Sequence, residues 1–207
     1  MISNIVFFGD SITAANRSPK VPLGVGYVSI LKDLFSANTD LKDVQFVNSG
    51  VSGHTVGDLL GRFNTDVLDH HPDAVAIMIG INDAYNDFFV DSDSGQVQNY
   101  EIGLDKLIND LQAGLPQAQF FLFTPYLISD SSTEAFYLKM EEYCEVVKKL
   151  GIKHAIPVLD IQSVFNSAVE TKPAKEWADD QIHPFHEGHT LIARAAYTFL
   201  QDHISEN

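Results

Sequence analysis

The sequence predicts an α/β fold in which a parallel sheet of five strands is covered by helices on both faces. Three observations carry this expectation. Five short apolar runs alternate with longer stretches of helical spacing along the 207 residues. Glycine, hydroxyl, amide and acidic residues cluster just after those runs, where sheets of this type place their sites. No internal repeat or linker-like stretch divides the chain, so one domain over residues 1–207 is expected.

Residues 2–8 are short, apolar and end at Gly9, which reads as a buried strand. Residues 27–35 follow with helical spacing through Val28, Leu31, Leu34 and Phe35. Residues 44–47 form a second strand. A helix over 56–68 puts Leu59, Leu60, Phe63 and Val67 on one face, with Thr55 as its N-cap. The run at 74–79 is almost wholly apolar, as befits a central parallel strand. Residues 84–98 are polar around Phe88 and Phe89 and read as a long loop. A helix over 100–111 and a strand over 120–123 come next, the latter stopped by Thr124-Pro125. A long helix over 132–150 is expected to end at Gly151, a fifth strand spans 155–159, and a last helix spans 188–203.

Composition excludes several functions. The net charge of −15 disfavours nucleic acid and anionic membrane surfaces, both of which need clustered Lys and Arg. The single cysteine, Cys144, lies among glutamates in a helical stretch. Neighbouring carboxylates raise a thiol's pKa, so it reads as a half-buried structural residue. No basic leader precedes the first strand and the first apolar run is too short to span a bilayer, so a cytoplasmic protein is expected.

Ser11, in GDSIT, is the first chemical candidate. It could cap a following helix. A phosphate loop is excluded, because neither G-x-x-x-x-G-K-[ST] nor G-x-G-x-x-G is present, and the G-x-S-x-G elbow is also missing. A nucleophilic serine needs a base, and the base needs an orienting acid. Asp180 and His183, in DQIHP, stand three residues apart, a spacing at which one tight turn brings a carboxylate to an imidazole. Pro184 stiffens that turn, and Asp179 fits the spacing less well. His183, His186 and His189 recur every third residue, but Pro184 interrupts them and no cysteine or H-E-x-x-H accompanies them, so no metal is expected. His189 falls on the last helix and reads as structural. Gly53 after the second strand and Asn82 after the third offer N–H donors for an oxyanion. Each could be an ordinary turn residue; together with Asp-x-x-His they point to acyl chemistry.

The blocks GDSIT, NSGVSGHT, IGIND and DQIHP resemble those of the SGNH (GDSL-type) hydrolases, in that family's order and across nearly the whole chain. The resemblance implies a three-layer α/β/α, flavodoxin-like fold with sheet order 2-1-3-4-5, and a metal-free, cofactor-free esterase mechanism. It implies Ser11 as nucleophile, His183 as base and Asp180 as its orienter. The Ser11 N–H, Gly53 and Asn82 are then the oxyanion donors, and Asp10 and Asp83 are structural. The phrases LGVGYV, SGVSGHTVGDL, IMIGINDAY and FLFTPYLI are similar to small intracellular acetylesterases of that family that act on acetylated xylo-oligosaccharides. Such enzymes often carry a Trp beside the catalytic acid and another after G-x-N-D; here Asp179 and Tyr85 stand there. The expected substrate is a small ester, an acetylated sugar first. A broad short-chain arylesterase or thioesterase is the alternative, and a sugar-binding module without catalysis is a third. Tyr85, Tyr126 and Arg17 are the candidate substrate contacts, and the resemblance raises a homo-oligomer.

Overall fold

The computed structural model describes residues 2–90 and 96–204. Five strands form one all-parallel sheet in the order 2-1-3-4-5: β1 (Asn4–Gly9), β2 (Gln45–Gly50), β3 (Ala74–Met78), β4 (Gln119–Phe123) and β5 (Val158–Leu159). Parallel neighbours need crossovers, and helices supply them. They are α1 (Ser11–Ala14), α2 (Tyr27–Ala37), α3 (Val56–Asp66), α4 (Ile81–Tyr85), α5 (Gln96–Gly114), α6 (Ala135–His154), α7 (Ile161–Val169) and α8 (His186–Ile204). α2 and α7 pack on α8 and make one layer, while α5 packs between α3 and α6 in the other.

Burial explains the strand sequences. Every residue of β3 is buried, since this central strand has helices on both faces. β2, at the edge, begins exposed and becomes buried only towards Gly50. The apolar contacts run without a break from Ile5 to Leu200. Cys144 is fully buried rather than half-buried, and burial pushes its thiol far above the ordinary range, ahead of the nearby acids.

Two sequence expectations fail here. Residues 84–98 are no loop where the structure describes them. α4 runs to Tyr85, one π-helical turn covers Asn86–Val90, and α5 starts at Gln96; residues 91–95 lie outside the described residues. Gly151 does not end α6, which continues to His154 and stops with Ala155 in the left-handed region at φ 53°. A Cβ at Gly151 would stand 2.2 Å from Val158 Cγ2, so that glycine lets α6 pass close to β5.

The register aligns the strand ends. Gly9 pairs with Gly50 on one side and Met78 on the other. The segments leaving β1, β2 and β3 therefore emerge side by side. Gly9 makes this possible: a Cβ there would lie 2.3 Å from the Met78 carbonyl oxygen and 2.6 Å from Thr13 Oγ1.

Candidate active site

Asp10 caps α1, its Oδ1 accepting the Ile12 N–H at 3.0 Å. The capping role open to Ser11 thus falls on its neighbour, and the Ser11 hydroxyl is free to face outward. It meets His183 Nε2 at 2.8 Å. His183 Nδ1 lies 2.6 Å from Asp180 Oδ2. Asp180 Oδ1 accepts the N–H groups of Ile182 at 3.0 Å and His183 at 2.8 Å. Burial works against the Asp180 charge. The bonds from the imidazole and from those two N–H groups outweigh it and hold the carboxyl below the usual carboxylate range. The pair remains open to solvent, with the Asp180 and His183 side chains 53% and 54% exposed.

The turn carrying this pair is held from several sides. Gln181 adopts the left-handed region at φ 66°, and its carbonyl accepts the Ile128 N–H at 2.8 Å. The Tyr126 hydroxyl donates to the Ile182 carbonyl at 3.2 Å. Tyr126 is fully buried, its ring 4.5 Å from that of Phe165. This corrects its assignment as a substrate contact: Tyr126 supports the histidine turn from below and cannot reach a bound ligand.

Gly53 sits between β2 and α3 at φ +80°, a conformation that favours glycine, with no atom within 4 Å of a Cβ built on it. Among the described residues no backbone carbonyl accepts its N–H. Asn82, in the first turn of α4, donates one amide hydrogen to the His54 carbonyl at 2.9 Å, and among the described residues no acceptor takes its second. Asp83 accepts the Val56 N–H with both oxygens, at 3.1 and 3.2 Å, tying the start of α3 to α4. The carboxylates of Asp10 and Asp83 both accept backbone N–H groups.

Two acids and one base behind the site are displaced from their ordinary pKa values. Burial raises Asp10 to about 7, with the nearby Asp83 charge adding to it, and its Oδ2 has no hydrogen-bond partner. Burial raises Asp83 to about 6. Burial, then the neighbouring histidines, pushes His189 down to about 4, and its Nδ1 accepts the Tyr27 N–H at 3.3 Å. His189 is a helix cap for α2, and among the described residues no cluster of three or more His, Cys, Asp or Glu groups is arranged to hold a metal.

Tyr85 is 44% exposed and Phe89 56% exposed, their ring centroids 4.7 Å apart. Phe136 lies beneath, 6.2 Å from Tyr85 and 5.0 Å from Phe89. Phe88 is half-buried against the core and acts as an anchor, but Phe89 does not. The π-helical turn sets this exposed aromatic face just beyond Asn82. Arg17 is exposed, its Nε 2.5 Å from the Gly50 carbonyl. It lines a groove of about 790 Å³ with Asn16 and residues 50–52, along the β2 edge. Sequence reasoning did not single out Arg62 or His54, whose side chains meet at 2.9 Å through a contact that no motif or spacing encodes.

This layout gathers a serine, a histidine and an aspartate at the carboxyl ends of a doubly wound parallel sheet, an arrangement that suits a hydrolase. The chain belongs to the GDSL-like Lipase/Acylhydrolase family, which it matches over residues 7–191, and is a carboxylic ester hydrolase. It is 32% identical to an acetylxylan esterase from Geobacillus stearothermophilus, over 92% of this chain and 90% of that one. The structure matches a solved acetylxylan esterase from the same organism with a TM-score of 0.88 at 31% identity, covering 96% of this chain and 94% of the other. Solved variants of that esterase described as catalytic mutants replace a serine, an aspartate or a histidine by alanine. An arylesterase from Vibrio mimicus is 26% identical over 97% of this chain and 89% of its own. No helix among the described residues is long and apolar enough to cross a membrane.

Proposed function

We propose that the protein removes acetyl groups from carbohydrate esters, using Ser11 as nucleophile, His183 as general base and Asp180 as the group that orients it. The observation that carries this reading is the hydrogen-bonded line from Ser11 Oγ to His183 Nε2 at 2.8 Å and from His183 Nδ1 to Asp180 at 2.6 Å. His183 takes the Ser11 proton as Oγ attacks the ester carbonyl. The N–H groups of Ser11 and Gly53 and the free amide hydrogen of Asn82 stabilise the tetrahedral oxyanion. The C–O bond to the sugar breaks as His183 returns the proton to the departing alcohol. Water then attacks the acetyl-Ser11 ester by the same sequence, releasing acetate and restoring the hydroxyl.

Three features support an acetylated sugar. The Asp180–His183 pair beside Ser11 is half exposed, which leaves room for a bulky alcohol next to a small acyl group. Tyr85 and Phe89 offer ring faces on which the C–H face of a sugar can stack. The net charge of −15 disfavours a polyanionic thioester such as an acyl-CoA. The acetylxylan esterase relatives agree with this choice.

Turnover of acetyl, butyryl and octanoyl nitrophenyl esters, then acetate release from acetylated xylo-oligosaccharides, tests the reading. Acetyl preference with release from the oligosaccharide is expected. Long-chain or thioester preference would favour the broad-specificity alternative, and saturable sugar binding without turnover would leave a binding module.

A further inference from the structure

Arg62, on α3, lies behind the oxyanion turn and reaches three segments at once. Its Cζ stands 4.6 Å from the Phe8 ring centroid. Nη2 donates to the Gly9 carbonyl at 2.8 Å and Nη1 to the Ser49 carbonyl at 2.8 Å. The guanidinium thus joins the ends of β1 and β2, two residues before Ser11 and four before Gly53. Nη1 also pairs with Asp66 at 2.6 Å. Nε donates to His54 Nδ1 at 2.9 Å. His54 in turn uses its carbonyl to accept the Asn82 amide at 2.9 Å.

We propose that Arg62 is a positioning residue which, through the His54 ring, fixes the turn that presents the Gly53 N–H and the Asn82 amide to the oxyanion. The proposal rests on the roles given to Ser11, Gly53 and Asn82 above. Its logic is donor and acceptor chemistry. Arginine stays protonated and can only donate, so His54 Nδ1 is the unprotonated nitrogen and the ring is held in one tautomer. Thr55 and Val56 are tied to Asp58 and Asp83, but residues 53 and 54 just before them are held more weakly. No side chain packs where a Gly53 Cβ would be, and the His54 N–H reaches the Val51 carbonyl only at 3.4 Å. The Gly53 N–H belongs to the 52–53 peptide and the His54 carbonyl to the 54–55 peptide, so a shift of residues 53 and 54 would move the oxyanion donor and the acceptor that aims Asn82 together. Lysine, a single-point donor, cannot hold the two carbonyls and the imidazole at once.

The test is steady-state hydrolysis of p-nitrophenyl acetate by wild type, Arg62→Lys, His54→Ala, His54→Gln and the double variant Arg62→Lys with His54→Ala, each with a thermal unfolding curve. Arg62→Lys and His54→Ala each lower kcat about 10- to 100-fold with KM changed by less than about 3-fold. The double variant falls no more than about 2-fold below the worse single one, because both break the same link. His54→Gln, whose amide oxygen can accept from Nε, recovers part of the loss. A folded His54→Ala protein with wild-type kcat overturns the proposal, as do losses that multiply in the double variant. An Arg62→Lys protein that loses only thermal stability also overturns it. Ser11→Ala, measured alongside, separates the two levels: activity surviving there removes the reading of the site, whereas activity lost there and kept in His54→Ala removes the Arg62 proposal alone.

Discussion

Asp10 shows how a residue beside Ser11 can matter through burial alone. Its carboxyl is raised to about 7 by burial, whereas in an unfolded chain it titrates near about 4. Between those values the folded state holds the extra proton, so this group makes stability fall as pH rises. Asp83, raised to about 6, acts in the same direction. His189, lowered to about 4, acts in reverse: the unfolded chain binds its proton first as pH falls below about 6.5, so stability from this group is lost towards acid. Asp10→Asn keeps a capping oxygen and removes one falling slope. Urea unfolding from pH 4 to 7 should show the variant gaining on wild type as pH increases; parallel curves would contradict a buried, protonated Asp10. The Asp180–His183 contact was legible because three residues separate the pair, and Ser11 was picked out by its place after the first strand and by its motif block rather than by spacing. Arg62, His54 and the true role of Tyr126 were not. Their hydrogen bonds join segments brought together only by the fold, and a tyrosine after a strand looks the same whether it faces a ligand or the core.

The elements divide along the same line. β1, β3 and β4 were legible as unbroken apolar runs, as strands covered on both faces should be, and β2 by a shorter one, while the fifth strand proved to be two residues rather than the five of 155–159. The segment after Asn82 was not, because Asn86 and Asp87 interrupt the apolar spacing that marks a helix. Asp87 is nevertheless buried, accepting the Tyr143 hydroxyl at 3.0 Å and pairing with Lys139 at 3.4 Å. Gly151 misled for another reason, its glycine serving close packing rather than a stop. α7 gave no strong signal beside the short fifth strand. One element-level device is testable directly. Tyr126 ties the start of the segment after β4 to the Asp180–His183 turn. Tyr126→Phe removes that buried hydrogen bond without changing ring packing, and is expected to cost about 1 kcal/mol of stability. It should also lower kcat several-fold at near-constant KM, as the histidine loses support. Chemical denaturation and p-nitrophenyl acetate kinetics check both, and an unchanged kcat would restrict Tyr126 to packing.

At the scale of the whole molecule, chemistry is assembled from the two ends of the chain. The hydroxyl leaves β1 and the imidazole precedes α8, 172 residues later, yet a parallel sheet with β1 near its centre brings them to one rim. The same order places the ends of β2 and β3 on either side of β1, and with them Gly53 and Asn82, the donors proposed for the oxyanion. The proposed mechanism passes through an ester of Ser11. Peptide mass spectrometry after treatment with a p-nitrophenyl phosphonate tests it most directly. The account predicts one covalent adduct, on the peptide containing Ser11, formed in step with loss of acetyl-ester turnover and absent from Ser11→Ala. Full inhibition with the label elsewhere, or turnover that survives stoichiometric labelling of Ser11, would contradict it.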